Sequence, residues 1–279
     1  MDILKIENAT KRYNDFLLDN VSFTVPGGSV VGFVGENGAG KSTTLKAISG
    51  LVRLDGGRIE CFGKDVRALT ESERSRIGTV LDDACLPSSV RLKDVGTIMA
   101  GMMKNWDSSA YAALLKKFGL SDALMVRELS KGMRMKAAVA VAMSHHADLL
   151  LLDEATSGLD PVARDEILDM LYEFVDGENR AVLVSSHIVE DLEKICDYIV
   201  FIHKGRIVFV KSADELREEY GIVSADETVL RALPRGAVLK VRRTPYSTAA
   251  LVDRRLCGLA AERAGIDEII LFYAKGEDL

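Results

Sequence analysis

Residues 35–43 read Gly35-Glu36-Asn37-Gly38-Ala39-Gly40-Lys41-Ser42-Thr43 and complete the phosphate-binding pattern G-x-x-x-x-G-K-[ST]. An apolar run over 30–34 precedes them and predicts a strand, and 45–51 has the character of a helix. Glycines let successive backbone N–H groups point inward around a polyphosphate. Lys41 can then reach the β- and γ-phosphates, and the Ser42 hydroxyl is placed to hold Mg²⁺. The pattern predicts binding of a nucleoside triphosphate, in preference to a plain glycine-rich turn before a helix.

Length and composition indicate an ordinary globular protein. The 279 residues can bury one large core or a core with a small appendage, and 48% are hydrophobic while 28% are charged. A net charge of −6 argues against a nucleic-acid partner, because such a surface must offset phosphate charge. The sequence has no apolar run near 18 residues, and its first residues lack the pattern of a signal peptide. We therefore expect a cytoplasmic protein.

Apolar patterning predicts an α/β chain. Helical periodicity dominates the region from about 82 to 146. The predicted strands are 2–7, 17–25, 30–34, 58–62, 77–81, 148–152, 181–185 and 198–203. The main predicted helices are 90–104, 110–118 and 131–144, with a shorter one over 71–76. Continuous apolar strands of this kind are typical of a parallel sheet that is covered on both faces.

Composition changes after about residue 220, which predicts a boundary there. We expect one domain over 1–220, with the helical region 82–146 as its subdomain, and a small α/β appendage over 221–279. Gly221 should stop the preceding helix. The apolar run Ile269–Tyr273 should form the final strand.

Asp153 and Glu154 form a second polar group, directly after the apolar strand 148–152. Open α/β sheets bind ligands at the carboxyl edge of their strands, where these two carboxylates should lie. Asp153 would hold Mg²⁺, directly or through water, and Glu154 would orient the attacking water or accept its proton. A polar turn after a strand explains the same residues without chemistry. The phosphate-binding pattern in the same chain favours the chemical interpretation.

Two further stretches complete a set of motifs: Leu129-Ser130-Lys131-Gly132-Met133 and Ser157-Gly158-Leu159-Asp160. In this order, the motifs over residues 1 to about 220 resemble the nucleotide-binding subunit of ATP-binding-cassette (ABC) transporters. The first stretch resembles the family's signature, Leu-Ser-Gly-Gly-Gln, and the second resembles the loop that joins two active sites. The resemblance implies a P-loop NTPase of the ABC ATPase fold. Its parts are an N-terminal antiparallel β subdomain, a RecA-like core and a helical subdomain, here followed by the small appendage.

The resemblance also implies roles for individual residues. Tyr13 would stack on adenine, and His187, at the end of strand 181–185, would touch the γ-phosphate as the family's switch histidine. The signature residues that would face a γ-phosphate across a dimer are Ser130, Lys131, Gly132 and Met133. Packing of Tyr13, a structural role of His187, and plain helix caps at Ser130 and Asp160 are the competing interpretations.

In the family, the signature of one subunit faces the phosphate loop of another, and each ATP lies between them. This chain has one copy of each motif, which implies a homodimer or a heterodimer with a related ATPase subunit. The resemblance further implies Mg²⁺-dependent ATP hydrolysis that powers a separately encoded membrane permease, with the chain at the inner face of the cell membrane. The appendage would stabilise the dimer through Ile269–Tyr273 or receive a regulator. The alternative function is a soluble ABC-type ATPase or an ATP-dependent regulatory module.

Three places depart from the family's pattern. Asp82 replaces the strand-end Gln that binds Mg²⁺, and Asp83 is the other candidate for this ligand. Lys131 and Met133 replace Gly and Gln in the signature, which adds a positive charge and removes a polar contact. Ala155 replaces the common Pro after the catalytic glutamate.

Some sequence variants in these motifs and segments resemble a subgroup of the family, and one segment is a candidate contact for the membrane partner. The Ser-Lys-Gly-Met signature resembles exporter-type cassettes, and 81–83, 105–107 and 269–273 resemble the YtrB-like subgroup. Segment 82–107 is where the family docks the coupling helix of the membrane partner. The residues that could line that contact are Met99, Met102, Met103 and Trp106. Core packing explains these apolar side chains as well.

Overall fold

The computed structural model describes residues 2–81, 86–175, 177, 179–243 and 247–279, which form three β-sheets and the helices packed on them. The strands are β1 (Asp2–Arg12), β2 (Leu17–Pro26), β3 (Ser29–Val34), β4 (Gly56–Cys61), β5 (Lys64–Asp65), β6 (Ile77–Val80), β7 (Leu149–Asp153), β8 (Ala181–Ser186), β9 (Tyr198–His203), β10 (Arg206–Ser212), β11 (Tyr220–Ser224), β12 (Val238–Arg243), β13 (Thr248–Asp253) and β14 (Glu262–Arg263). The helices are α1 (Lys41–Ile48), α2 (Glu71–Arg74), α3 (Leu92–Met102), α4 (Ser108–Lys117), α5 (Lys131–Met143), α6 (Pro161–Phe174), α7 (Val189–Ile195), α8 (Ala213–Glu219), α9 (Glu227–Arg231), α10 (Arg254–Cys257) and α11 (Ile266–Lys275), with a 3₁₀ turn at Val126–Glu128.

The central sheet has six strands in the order β10-β9-β3-β8-β7-β6. Five of them are parallel, and β10 is antiparallel to β9. Every residue of β3, β7 and β8 is buried, which confirms the predicted parallel sheet covered on both faces. Because these three strands run in one direction, their carboxyl ends lie at the same edge. The segments that follow them carry the phosphate loop, Asp153-Glu154 and His187 to that edge.

Alternate residues of the central strands face two different cores. Val31 and Phe33 of β3 lie in the core that the central sheet shares with the N-terminal antiparallel sheet β2-β1-β4-β5. Val30 and Val34 of the same strand lie in the core that is shared with helices α3 to α6. The strands predicted near the N-terminus and the helices predicted in the helical region are present. Helices α3, α4 and α5 each begin and end within two residues of the predicted bounds.

The C-terminal part of the chain forms a third sheet, in the order β12-β13-β11-β14. The predicted strand over Ile269–Tyr273 is wrong, because these residues lie in helix α11. Ile266, Ile269 and Phe272 recur every three residues and are all buried, as on one face of a helix. Glu268 accepts a hydrogen bond from the Gly265 N–H and so caps the start of α11. The expected dimer contact through a strand at Ile269–Tyr273 is therefore wrong as well, because this segment is a helix.

The predicted helix stop at Gly221 is also wrong. Helix α8 ends at Glu219, and Gly221 pairs within β11 with Val252 and Arg263. A Cβ atom on Gly221 would lie 2.8 Å from the Cβ of Ala261, so the close approach of the segment that leads into β14 explains the glycine. Among the described residues, no helix is both long and apolar enough to cross a lipid bilayer.

Candidate nucleotide-binding site

The phosphate loop joins the end of β3 to the start of α1. Gly38 and Gly40 have φ angles of 80° and 114°, which favour glycine because it lacks a Cβ atom. At Gly35 the backbone packs tightly, since a Cβ atom there would lie 2.5 Å from the carbonyl oxygen of Ile202. Gly40 occupies the N-cap of α1 without a side-chain cap. The first N–H groups of the helix are therefore not capped by a side chain and can bind phosphate oxygens.

Lys41 is the most enclosed charged residue of the loop, with 5% of its surface exposed. Its Nζ donates hydrogen bonds to the carbonyl oxygens of Gly35 at 2.7 Å and Glu36 at 3.3 Å. The same Nζ lies 3.3 Å from Oε1 of Glu154. The loop thus holds the ammonium group in place before any phosphate arrives, and the charge is positioned beside the carboxylate that follows β7.

Asp153 and Glu154 lie at the carboxyl end of β7, as predicted. Asp153 is buried and accepts a hydrogen bond of 2.5 Å from the Ser185 hydroxyl, which in turn accepts from the Glu154 N–H at 3.1 Å. Ser185 therefore connects both acidic residues to the neighbouring strand β8. Glu154 has a φ angle of 52°, in the left-handed region that few residues other than glycine adopt. The strand therefore ends at Asp153, and Glu154 leaves its regular geometry.

His187 completes a row of three charged or titratable groups. Its Nδ1 lies 2.6 Å from Oε2 of Glu154, whose other oxygen faces Lys41. The Glu154 side chain is 23% exposed and that of His187 is 43% exposed, so the row runs from the interior toward solvent. A carboxylate between an ammonium group and an imidazole nitrogen is held in one orientation, from which it can direct a water molecule and take part in proton transfer.

A cleft of about 540 Å³ opens over the loop. Its lining residues are Asp15, Phe16, Asn37, Gly38, Gly40, Lys41, Ser42, Thr43, Asp153 and Glu154. Sequence reasoning did not single out Asp15 or Phe16. The Phe16 ring packs on the loop, since its Cζ would lie 3.0 Å from a Cβ atom on Gly40.

Tyr13 lies beside the cleft on the turn after β1, with 43% of its surface exposed. The Tyr13 ring centroid is 6.5 Å from the Phe16 ring centroid and 5.8 Å from Lys11 Nζ. An exposed aromatic face of this kind can stack on a base. Two residues of the phosphate loop, Glu36 and Ala39, do not line the cleft. Ala39 is buried, and Oε2 of Glu36 lies 3.7 Å from Nδ1 of His203.

Ser42 and Asp153 bring a hydroxyl and a carboxylate to the same cleft. Both are hard oxygen ligands of the type that Mg²⁺ prefers, and Mg²⁺ bound to a nucleotide usually needs only one or two of them besides phosphate and water. Within the part of the chain that the structure describes, no three His, Cys, Asp or Glu residues gather into a separate metal site. Asp82 and Asp83, the other predicted candidates for a Mg²⁺ ligand, lie outside the described residues.

The signature stretch forms the start of helix α5. Ser130 is the N-cap, and its hydroxyl accepts a hydrogen bond from the Met133 N–H at 3.2 Å, which confirms the predicted cap. Gly132 faces α6, where a Cβ atom on it would lie 3.0 Å from the Cβ of Ala163. A Cβ atom on Gly158 would lie 2.9 Å from Lys131 Nζ. The signature therefore packs against the predicted inter-site loop of its own chain.

The inter-site loop, Ser157 to Asp160, turns through Gly158, whose φ angle is 68°. Leu159 is buried, and Asp160 caps α6 by accepting hydrogen bonds from the N–H groups of Val162 at 3.1 Å and Ala163 at 3.0 Å. These backbone bonds hold the pKa of Asp160 below its usual value. Among the described residues, neither this loop nor the signature lines the cleft over the phosphate loop.

Comparison with known proteins identifies the family. The family model described as ABC transporter matches residues 18–157, which include the phosphate loop, the signature and Asp153-Glu154. The chain belongs to the ABC transporter family. It is an ATP-binding and ATP-hydrolysing subunit of such a transporter, with the α/β fold of ABC ATPases.

Relatives of this ABC subunit cover most of its length. The lantibiotic transport ATP-binding protein SrtF of Streptococcus pyogenes is 34% identical over 218 residues, which are 76% of this chain and 92% of the relative. A daunorubicin resistance ATP-binding protein of Streptomyces coeruleorubidus is 33% identical over 266 residues, or 91% of this chain and 81% of that one. Among solved structures, an ATP-binding subunit of an ABC transporter superposes with a TM-score of 0.69 at 28% identity, covering 77% of this chain and 92% of the other. Membership of the YtrB-like subgroup stays a prediction.

Proposed function

We propose that two ABC subunits bind two Mg·ATP between them, each between the phosphate loop of one chain and the Ser130 helix end of the other. The partner is a second copy of this chain or a related ATPase subunit. This dimer would work at the inner face of the cell membrane on a separately encoded permease. The separation within one chain supports the proposal, since the signature does not line the cleft among the described residues. At the start of α5 the Ser130 hydroxyl takes up the Met133 N–H, while the hydroxyl and the remaining N–H groups of the first turn can still donate to a phosphate.

Within each site the roles follow from position. Residues 35–43 would bind the phosphates, with Lys41 on the β- and γ-phosphates, while Ser42 and Asp153 would hold Mg²⁺. Glu154 would orient the attacking water and accept its proton, and His187 would stabilise the γ-phosphate. The observation that carries the proposal is the Glu154 carboxylate, placed between Lys41 Nζ at 3.3 Å and His187 Nδ1 at 2.6 Å.

The roles of Lys41 and Glu154 are tested with two substitutions that differ in outcome. Lys41→Ala removes the phosphate contact, so both ATP binding and hydrolysis should be lost. Glu154→Gln keeps the shape but cannot accept a proton, so hydrolysis should fall by about 10²–10⁴-fold while ATP stays bound. Light scattering with ATP and Mg²⁺ should then show the mass of a dimer for Glu154→Gln and of a monomer for Lys41→Ala.

Glu190→Gln is the matched control, because Glu190 is an exposed carboxylate in the first turn of α7. We expect it to hydrolyse ATP like the unchanged protein. Normal hydrolysis by Glu154→Gln would remove the proposed catalytic role. A monomeric Glu154→Gln protein with ATP bound would instead contradict the dimer.

A groove of about 380 Å³ beside the helical region is the candidate contact for the permease. Its lining residues are Glu71, Ser72, Arg74, Ser75, Met102, Met103, Lys104 and Asn105. Met102 is 71% exposed, whereas Met99 and Trp106 pack against the core. Of the four apolar residues predicted for this contact, only Met102 and Met103 line the groove and are available to a partner. An exposed flexible methionine suits a helix of a membrane protein, because its side chain adapts to varied apolar surfaces.

Export is the direction that we propose, supported by relatives named for lantibiotic transport and daunorubicin resistance. Met102→Glu should abolish co-purification with the permease and keep the ATPase activity of the isolated subunit, whereas Met102→Leu should preserve both. Inside-out vesicles that carry the complex should accumulate an amphipathic drug or lantibiotic when ATP is added outside. Equal co-purification of the two variants would exclude the groove, and ATP-driven loss of the solute from these vesicles would reverse the direction.

A further inference from the structure

Helices α6 and α7 are joined by an ion pair that is buried at its Asp191 end, while the Arg164 side chain is 27% exposed. Arg164 Nη1 lies 3.3 Å from Oδ1 of Asp191, and Asp191 is only 3% exposed. A buried carboxylate needs a partner, because it has given up its hydration. No motif of the family resemblance includes either residue, and neither lines the cleft among the described residues.

Each end of the pair is attached to a segment of the proposed dimer site. Arg164 also donates from Nη2 to the carbonyl oxygen of Leu159 at 3.5 Å, and Leu159 belongs to the inter-site loop. Asp191 lies in the first turn of α7, four residues after His187. His187 in turn contacts Glu154 at 2.6 Å. One guanidinium group therefore touches the inter-site loop on one side and the helix that follows the switch histidine on the other.

Both members of this pair also have a buried polar atom without a hydrogen-bond partner, Arg164 Nε and Asp191 Oδ2. Seven such side-chain atoms occur among the described residues, and four belong to the segment from Glu154 to Asp191. They are Thr156 Oγ1, Arg164 Nε, Asp191 Oδ2 and Glu154 Oε1, of which the last still faces Lys41 Nζ at 3.3 Å. Native proteins satisfy nearly all buried polar groups, so each exception calls for an explanation, such as a bound water or a role in function. Both bonds of Arg164 are also near the long limit for hydrogen bonds.

We propose that Arg164 is a positioning residue that couples the inter-site loop to His187. When a second subunit presses on the inter-site loop, the shift of Leu159 moves the guanidinium against Asp191, and α7 carries His187 toward the γ-phosphate. A site would then reach its hydrolytic arrangement only after the partner has docked. This mechanism rests on the dimer proposed above and adds a route by which docking reaches the catalytic group.

The test compares Arg164→Lys with the unchanged protein. Lysine keeps the charge that Asp191 needs, but a single ammonium cannot serve Leu159 and Asp191 in the way that a planar guanidinium does. We expect normal folding, an unchanged KM for ATP, a kcat lowered about tenfold, and a Hill coefficient for ATP that falls toward 1. Arg164→Met should lower kcat further, because it leaves Asp191 buried and unpaired.

The chain supplies a matched control on the same two helices. Lys194 Nζ lies 3.0 Å from Oδ1 of Asp165, and both side chains are 59% exposed. Lys194→Met also removes an ion pair between α6 and α7, yet kcat and the Hill coefficient should stay at their normal values. Equal effects of Lys194→Met and Arg164→Lys, or no effect of Arg164→Lys, would overturn the coupling role. If the Glu154→Gln protein formed no dimer with bound ATP, the proposed function would fail instead, and light scattering distinguishes the two results.

Discussion

At the scale of single residues, Glu154 shows how the backbone is strained to place a catalytic group. Its φ angle of 52° is one that residues with a Cβ atom seldom adopt, and it costs on the order of 1–2 kcal/mol. The surrounding contacts hold it there: its N–H bonds to Ser185, and its two oxygens face Lys41 and His187. The strain is consistent with a carboxylate that must lie at the end of a buried strand and still reach the cleft.

The strain can be measured by comparing Glu154→Ala with Glu154→Gly. Both variants lack the carboxylate, so the comparison isolates the cost of a Cβ atom in the left-handed region. We expect the glycine variant to be more stable by about 1 kcal/mol in urea unfolding. At Asp169, an exposed position in the interior of α6, the order should reverse, since alanine favours a helix over glycine by a similar amount. A more stable alanine variant at residue 154 would show that the backbone there is relaxed.

Some residue-scale features could be predicted from the sequence, and others could not. The caps at Ser130 and Asp160 depend on neighbours within three residues, so the local pattern predicted them. Ser185 binds Asp153 across 32 positions of the chain, and its role depends on which strands are neighbours. Phe16 packs on Gly40 for the same kind of reason. A single sequence carries no signal for such long-range pairs.

At the scale of elements, the run Ile269–Tyr273 shows why short apolar segments are ambiguous. Five consecutive apolar residues fit a buried strand as well as a helix, and the periodicity cannot separate them. The signals for a helix lay outside the run, in Asp267 and Glu268 at its start and Lys275 at its end, which complement the helix dipole. Length and flanking charges were therefore better guides than the apolar residues themselves.

Helix α11 packs through one face, and this gives an element-scale prediction. Ile269 is fully buried in the core that also contains Leu192 and Ile195 of α7, whereas Ile270 is only half-buried. Ile269→Ala should therefore cost about 2–5 kcal/mol of unfolding free energy, and Ile270→Ala clearly less. Hydrogen exchange should rise in α7 for the first variant, because α7 loses its packing partner. Equal losses for both variants would contradict the helical face described here.

At the scale of the whole molecule, the central sheet explains why the architecture was predictable and its C-terminal part was not. The strands β3, β7 and β8 carry a motif or a long apolar run each, and all three lie where the sequence predicted them. The C-terminal sheet has short strands and no motif, so only its composition marked it. Its helix α11 joins the main core through Ile269 and Phe272, which the sequence alone does not reveal.

The position of Ser130, on a helix that lies away from the Lys41 cleft of its own chain, has a genetic consequence. If each ATP site is built from two chains, a mutation in one gene copy also inactivates sites to which an unmutated chain contributes. Where the partner is a second copy of this chain, random pairing of equal amounts of sound and damaged chains leaves only about a quarter of the pairs free of the lesion. Harmful alleles of such a protein should therefore be dominant rather than masked by the healthy copy.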